Sequence, residues 1–243
     1  WGTVGGVCQK KSSCTSRYVL VSLLEVKSRG VRSMAKKVSI LIPTYNRPKL
    51  LPYAVNSALR QTIDCEVLVI NDGGCELPKL PTKVRRYNFK KHHGAYYALN
   101  RGIWQATGDL IFNLDDDDLL PENAMERLRD EIEDNDVIFS DLMLFPSMIP
   151  FPQSFEDYEA LLDNNTMPGV LMTTKEAAMK VPFPELSTGW DYERSLRFCE
   201  AGLKIKHLAE TLYFYRQHAD QIQKKLAHEQ TQNNIASKQR NNR

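Results

Sequence analysis

Four consecutive carboxylates, Asp115, Asp116, Asp117 and Asp118, follow the apolar run 110–114 with no spacer. Adjacent like charges destabilise one another unless a cation lies among them, and hard oxygen ligands suit Mg2+ or Mn2+. Asp115 and Asp117 stand two apart, so an extended backbone turns both side chains to one side. An EF-hand would place Asp115, Asp117 and Glu126 at its first, third and twelfth positions. Its fifth and sixth would then be Leu119 and Leu120, where an oxygen ligand and glycine are required, and that reading fails. A solvated acidic turn ahead of a helix opened by Pro121 remains the alternative.

The elements around this cluster follow from periodicity. Residues 38–43 read as a buried strand ended by Pro43, followed by a helix with Asn46 as N-cap and Pro48 at its start. Leu50, Leu51, Ala54, Val55, Ala58 and Leu59 form its apolar face. Residues 66–71 form a second strand stopped by Asp72-Gly73-Gly74, and a weaker third lies near 84–88. Ala95, Ala98, Leu99, Ile103 and Ala106 repeat at helical spacing before a fourth strand at 109–114. A helix at about 122–133, a strand at 137–142, a helix at 190–201 and strands near 203–208 and 211–216 complete the pattern. Alternating strands and helices of this kind indicate an α/β fold on a mostly parallel central sheet flanked by helices. In open sheets ligands bind beyond the carboxyl ends of strands, where the aspartates stand.

The chain has 243 residues and a formal charge of +2, distributed unevenly. Residues 1–33 carry +5 and residues 221–243 carry +4, leaving −7 on 34–220. An acidic centre argues against nucleic acid as a partner, while basic ends permit peripheral contact with an anionic membrane. No run reaches the ~20 apolar residues of a transmembrane helix. Met34 precedes the first strand, so 1–33 reads as an N-terminal extension outside the native fold, and 34–220 as one domain. Its nucleotide-binding half is expected at 34–145 and its more irregular acceptor half at 146–220, divided at the proline-rich segment 145–152. Residues 221–243, with nine Gln/Asn, read as a polar, basic tail, frayed or disordered. Cys65, Cys75 and Cys199 fit no common zinc spacing and read as reduced thiols of a cytoplasmic protein, placed at the inner membrane surface if its basic ends make that contact.

Four segments stand in order: Ile42-Pro43-Thr44-Tyr45-Asn46-Arg47-Pro48, Val69-Ile70-Asn71-Asp72-Gly73-Gly74, Leu114-Asp115-Asp116-Asp117-Asp118 and Trp190-Asp191-Tyr192-Glu193. Together they resemble the family 2 glycosyltransferases, inverting nucleotide-sugar enzymes of GT-A fold, a Rossmann-like α/β architecture. The resemblance covers about residues 37–218. It implies that Pro43, Thr44, Tyr45, Asn46 and Arg47 cup the nucleotide base, by stacking and edge hydrogen bonds, and that Asp72 accepts a hydrogen bond from a uracil ring. Asn46 as a helix cap, Tyr45 as a core residue and Asp72-Gly73-Gly74 as an ordinary turn are the alternatives.

The family's D-x-D motif falls on Asp115 and Asp117, with Asp116 beside the donor and Asp118 a further ligand. It implies Mn2+ or Mg2+ on the donor diphosphate. Gly94, Ala98, Asn100 and Gly102 match a further family segment, in which His92 and Leu99 replace the usual Asn and Arg. Gly94, Asn100 and Arg101 are therefore expected at the donor, with His92 and His93 lining it. Asp191 falls on the general base, with Glu193 the alternative, and Trp190 is either a platform for a sugar ring or a buried aromatic. Tyr215-Arg216-Gln217-His218 resembles the family's closing motif, putting His218 at the metal and Arg216 at the diphosphate. Residues 164–169 are expected to form an acceptor-side loop.

The implied reaction moves a sugar, expected as a UDP-sugar, onto a hydroxyl of a glycan, a lipid-linked or another acceptor. A Mg-dependent nucleotidyltransferase would also use paired aspartates, but wants a Gly/Lys-rich phosphate loop where Thr44-Tyr45-Asn46-Arg47 stands. An inactive domain that only binds sugar or nucleotide is the other alternative.

Overall fold

A computed structural model describes residues 35–163, 167–218 and 227–241. Extension 1–33, part of the loop at 164–169 and residues 219–226 lie outside the described residues. Residues Lys36–Arg243 form one unit. Its sheet begins with β1 (Val38–Thr44), β2 (Cys65–Asn71), β3 (Arg85–Asn88) and β4 (Leu110–Asn113), in spatial order β3-β2-β1-β4 and all parallel. Every residue of β1 is buried, as its largely apolar sequence requires of a central strand covered on both faces.

Strand alternation assigns the two faces. Val38, Ile40 and Ile42 of β1, Val67 and Val69 of β2, and Leu110 and Phe112 of β4 share one core with α1 (Leu51–Leu59). Leu41, Leu68, Ile70 and Ile111 point the other way, onto Ala98, Leu99 and Ile103 of α2 (Ala95–Gln105). Gly102 of α2 faces the sheet so closely that a Cβ there would lie 3.0 Å from the Ile70 side chain and 3.1 Å from Leu41. Helix α3 (Ala124–Glu131) adds Ala124, Met125 and Leu128 to the first core.

Beyond β4 the sheet becomes mixed. β7 (Met172–Thr174) runs antiparallel to β4 and to the start of β5 (Val137–Phe145). β6 (Ile149–Phe151) forms a hairpin with β5, and β8 (Ile205–Arg216) runs parallel to β5. Helices α4 (Tyr158–Asp163), α5 (Lys175–Lys180) and α6 (Trp190–Glu200) belong to this half. The order thus confirms an α/β fold with a central, mostly parallel sheet flanked by helices, its antiparallel pairings confined to the second half.

Several local expectations differ from the structure. Asn46 does not cap α1: it adopts φ +58° and its Oδ1 accepts the Cys75 N–H at 2.8 Å. Helix α1 starts only at Leu51, with Leu50 at the cap position and proline inside the first turn, so Pro48 stands before the helix. The two strands expected at 203–208 and 211–216 are one, β8, whose pairing shifts register around Asp141. The proline-rich segment 145–152 is the β5–β6 hairpin. β7, α4 and α5 lacked any expectation, and residues 227–241 form helix α7 (Ala227–Asn241). Among the described residues no helix is long and apolar enough to cross a membrane.

Candidate active site

β1 pairs with β2 on one side and β4 on the other, so the chain reverses its direction of travel across the sheet between them. Loops leaving the two carboxyl ends diverge there and leave a crevice. Thr44 ends β1, and Asp115 lies two residues past the end of β4. The Thr44 hydroxyl donates to Asp116 Oδ2 at 2.6 Å. Arg47, in the same loop, reaches Asp116 Oδ1 at 2.8 Å and Asp117 Oδ2 at 2.5 Å. Two sequence segments about 70 residues apart are thereby tied into one site by the parallel register.

The other wall is β8. The Tyr213 hydroxyl donates to Asp118 Oδ2 at 2.7 Å and accepts the Asp115 N–H at 3.3 Å. The Arg216 N–H donates to Asp118 Oδ1 at 2.7 Å, and Arg216 Nε to the Asp117 carbonyl at 2.6 Å. His218 Nε2 lies 3.0 Å from Asp117 Oδ2. Tyr213 was missed by sequence reasoning: in a strand of mixed burial it gave no signal apart from its core position.

Carboxylate oxygens of Asp115, Asp117 and Asp118 lie within 4.8 Å of one another. Burial, then the charges of Asp117 and Asp116, push the Asp115 carboxyl up to about 7. Burial likewise raises Asp116 to about 6 against the pull of Arg47. Asp118 is also raised, by burial and then by Asp115 and Asp117. A group of buried oxygens that repel one another fits a divalent cation. Asp115 and Asp117 suit it best, because both Asp118 oxygens already accept protein hydrogen bonds.

Asp191 stands in the first turn of α6 and approaches this cluster through Gly169. Asn113, the last residue of β4, donates to the Gly169 carbonyl at 2.9 Å. A Cβ on Gly169 would lie 2.9 Å from Asp191 Cβ, so only glycine permits that packing. Burial raises the Asp191 carboxyl, and its charge is felt at Asp115 and Tyr215. Glu193, the alternative base, is 3% exposed and engaged at 2.7 Å by both Arg197 and Arg240. The structure places it as an ion-pair partner of those two arginines. Trp190 packs edge-on against Phe183 at 5.3 Å, as a partly buried aromatic rather than a platform.

The remaining expected donor residues divide. Tyr45, 42% exposed, stacks on His92 with centroids 3.9 Å apart. Asp72 is buried and accepts from the N–H groups of His93 and Gly94 at 3.0 and 2.7 Å, with His92 Nδ1 at 2.8 Å. Its carboxylate organises the 92–94 loop under Tyr45. Gly94 joins this loop to α2 at φ +99°, a conformation reserved for glycine. His93 is packed against Tyr97 at 4.5 Å. Asn100 departs from expectation: its amide donates to the Phe183 carbonyl at 2.9 Å and accepts the Phe183 N–H at 2.8 Å. It pins that segment instead of facing a donor. Arg101 is exposed beside the Tyr87 hydroxyl and does not join the aspartates. Pro43 is a buried β1 residue paired with Ile70.

Residues 39–151 match the family model described as glycosyl transferase family 2. An uncharacterized glycosyltransferase, YwdF of Bacillus subtilis (strain 168), is 37% identical over 113 residues, 43% of this chain and 41% of that protein. Poly(ribitol-phosphate) beta-N-acetylglucosaminyltransferase TarP of Staphylococcus aureus (strain N315) is 32% identical over 120 residues, 45% of this chain and 36% of TarP. The crystal structure of S. aureus TarS 1-349 in complex with UDP-GlcNAc superposes with a TM-score of 0.65 at 17% identity, over 76% of this chain and 60% of that one. That likeness establishes a shared fold. The chain spans less than half the length of the first curated relatives it matches, 41%, 16% and 18% of them.

Proposed function

The chain belongs to the family 2 glycosyltransferases, and from that premise we propose that it transfers a sugar, with inversion, from a nucleotide-sugar donor to a hydroxyl acceptor. The observation that carries the proposal is the meeting, at the β1/β4 crevice, of a carboxylate cluster with a separate half-buried carboxylate, Asp191, seated against Gly169. The first has the character of a cation site and the second that of a proton acceptor.

In this reading Tyr45 and His92 offer an exposed stacked pair to the nucleotide base. Thr44 and Arg47 hold Asp116 and Asp117 in place. Asp115 and Asp117 would hold Mn2+ or Mg2+, with His218 beside Asp117; when bound, such an ion offsets the charge of a diphosphate leaving group. Asp191 takes the proton of the acceptor hydroxyl as its oxygen bonds to the anomeric carbon. The bond from that carbon to the diphosphate oxygen breaks, and the nucleoside diphosphate departs with the electron pair. Burial suits Asp191 to the task, because a raised carboxyl is a stronger base. TarP, named as an N-acetylglucosaminyltransferase, and the UDP-GlcNAc complex of TarS make UDP-GlcNAc the first donor to try.

The test measures Mn2+-dependent binding and cleavage of UDP-GlcNAc, UDP-glucose and GDP-mannose by wild type, Asp117→Ala and Asp191→Asn. Binding that requires Asp117 and cleavage that requires Asp191 are expected. No binding of any nucleotide sugar overturns the proposal.

A further inference from the structure

Helix α6 has no side-chain cap at its N-terminus: the cap position is Gly189, at φ +70°. Asp191 lies two residues on, so the placement of its carboxylate depends on whatever fixes this turn. That work falls to helix α7. Asn233 Nδ2 donates to the Thr188 carbonyl at 3.0 Å and lies 3.3 Å from the Thr188 hydroxyl. Asn234 covers Gly189 so closely that a Cβ there would stand 2.6 Å from its Oδ1. At the far end of α7, Arg240 reaches Glu193 at 2.7 Å and Glu200 at 3.4 Å.

Glu193 sits two residues from Asp191, on the same first turn of α6, and is almost wholly buried. A buried carboxylate left with half its cationic partners draws water in or swings outward, and the turn moves with it. The sequence of α7 suits a clamp more than a core element. Ser237 is buried while Ile235 is 43% exposed, so α7 docks through amide and guanidinium contacts instead of an apolar stripe.

We propose that α7 is a positioning clamp for the proposed base, with Arg240, acting through Glu193, and Asn233, acting through Thr188, as positioning residues for Asp191. This rests on the function proposed above. Neither residue touches the aspartate cluster in the structure, so the clamp governs turnover and leaves donor binding alone. It also places a determinant of turnover outside residues 39–151, the span matched by the family model.

Two readouts test it on the full chain. The first is Mn2+-dependent UDP release from UDP-GlcNAc, split into kcat and donor KM. Arg240→Ala is expected to lower kcat by about 10- to 100-fold, the scale of a misplaced catalytic group, with KM held within about twofold. Arg240→Lys, which keeps a cation for Glu193, should recover most of the loss, and Asn233→Ala should show a smaller loss of the same kind. The second is amide hydrogen exchange over 188–193, expected to quicken about tenfold in Arg240→Ala while β1 and β4 are unchanged. Unchanged exchange over 188–193 overturns the clamp. Wild-type kcat in Arg240→Ala, with Asp191→Asn inactive, overturns the positioning role. Wild-type turnover in Asp191→Asn is a separate outcome: it removes the proposed base, and exchange alone then decides whether α7 holds the turn.

Discussion

Two sets of carboxylates, Glu66 by itself and the aspartate cluster, lie toward opposite ends of the parallel part of the sheet, and their surroundings have opposite effects on them. Glu66, near the start of β2, accepts hydrogen bonds from the Ser39 hydroxyl, from the Thr107 N–H at 2.7 Å and from Arg85. Burial works to raise its carboxyl, yet these donors hold it down at about 2. Past the end of β4, burial and mutual repulsion push Asp115 up to about 7 and Asp116 to about 6. Glu66 is half-buried, and burial is the largest influence on it as on the aspartates, so burial alone does not separate a structural acid from a functional one. What separates them is whether the protein itself supplies the compensating donors. Glu66 is complete, whereas Arg47 neutralises only part of the aspartate cluster and leaves Asp115 raised.

The largest effect should come from the acid that belongs to neither set. Asp191 is raised by burial and faces no neutralising cation in any contact described above. Asp191→Asn keeps the shape and removes the base, so UDP-GlcNAc turnover should fall about 10²–10⁴-fold with donor binding intact. Equal loss of binding and turnover would instead place Asp191 with the donor.

Asp115→Asn addresses the comparison directly. Removing one of several crowded like charges should stabilise the metal-free protein by about 0.5–2 kcal/mol while turnover drops about 10²–10³-fold. Thermal unfolding beside Mn2+-dependent turnover checks both signs. A destabilised Asp115→Asn would mean that the cluster is as well compensated as Glu66, and the contrast would fail.

Legibility in the sequence follows the same division between local and long-range causes. β1, β2 and β4 were readable because central strands buried on both faces are largely apolar, with polar residues only at or near their ends. The aspartate cluster was readable because four consecutive charges after such a strand have no packing explanation. Asn46 was misread because its partner, Cys75, lies in another loop. Asn100 matched a motif by spacing, yet its amide is fixed by Phe183, 83 residues away. The ion pair of Glu193 was not legible because its partner, Arg240, lies on another helix, α7. β7 and α5 are too short for periodicity, and β8 was split because Ala209 and Glu210 read as a break where the structure has an irregular pairing.

Gly169 joins β4 to the proposed base: its carbonyl accepts the Asn113 amide, and its lack of a Cβ admits Asp191. Gly169→Ala should cost turnover by up to about 100-fold through displacement of Asp191, because the added Cβ would meet Asp191 Cβ at 2.9 Å. Donor KM should stay near that of wild type. If KM rises and kcat holds, the glycine serves the donor side and not the base.

The smallest effect on turnover, and the sharpest on stability, is expected from Glu66→Gln. The amide cannot satisfy three donors as a carboxylate does, and about 1–3 kcal/mol of stability should be lost at neutral pH, with kcat unchanged. The sign of the pH dependence follows from the lowered carboxyl. A group held at about 2 in the folded chain, against an ordinary value of 4.5, contributes fully above pH 4.5 and loses that contribution as pH falls through 2. Denaturant midpoints of wild type and Glu66→Gln should therefore be well separated at pH 7 and converge between pH 4.5 and 2. Midpoints equally separated at pH 7 and pH 2 would show that Glu66 acts by shape alone, and that hydrogen-bond donors are not what sets it apart from the aspartates.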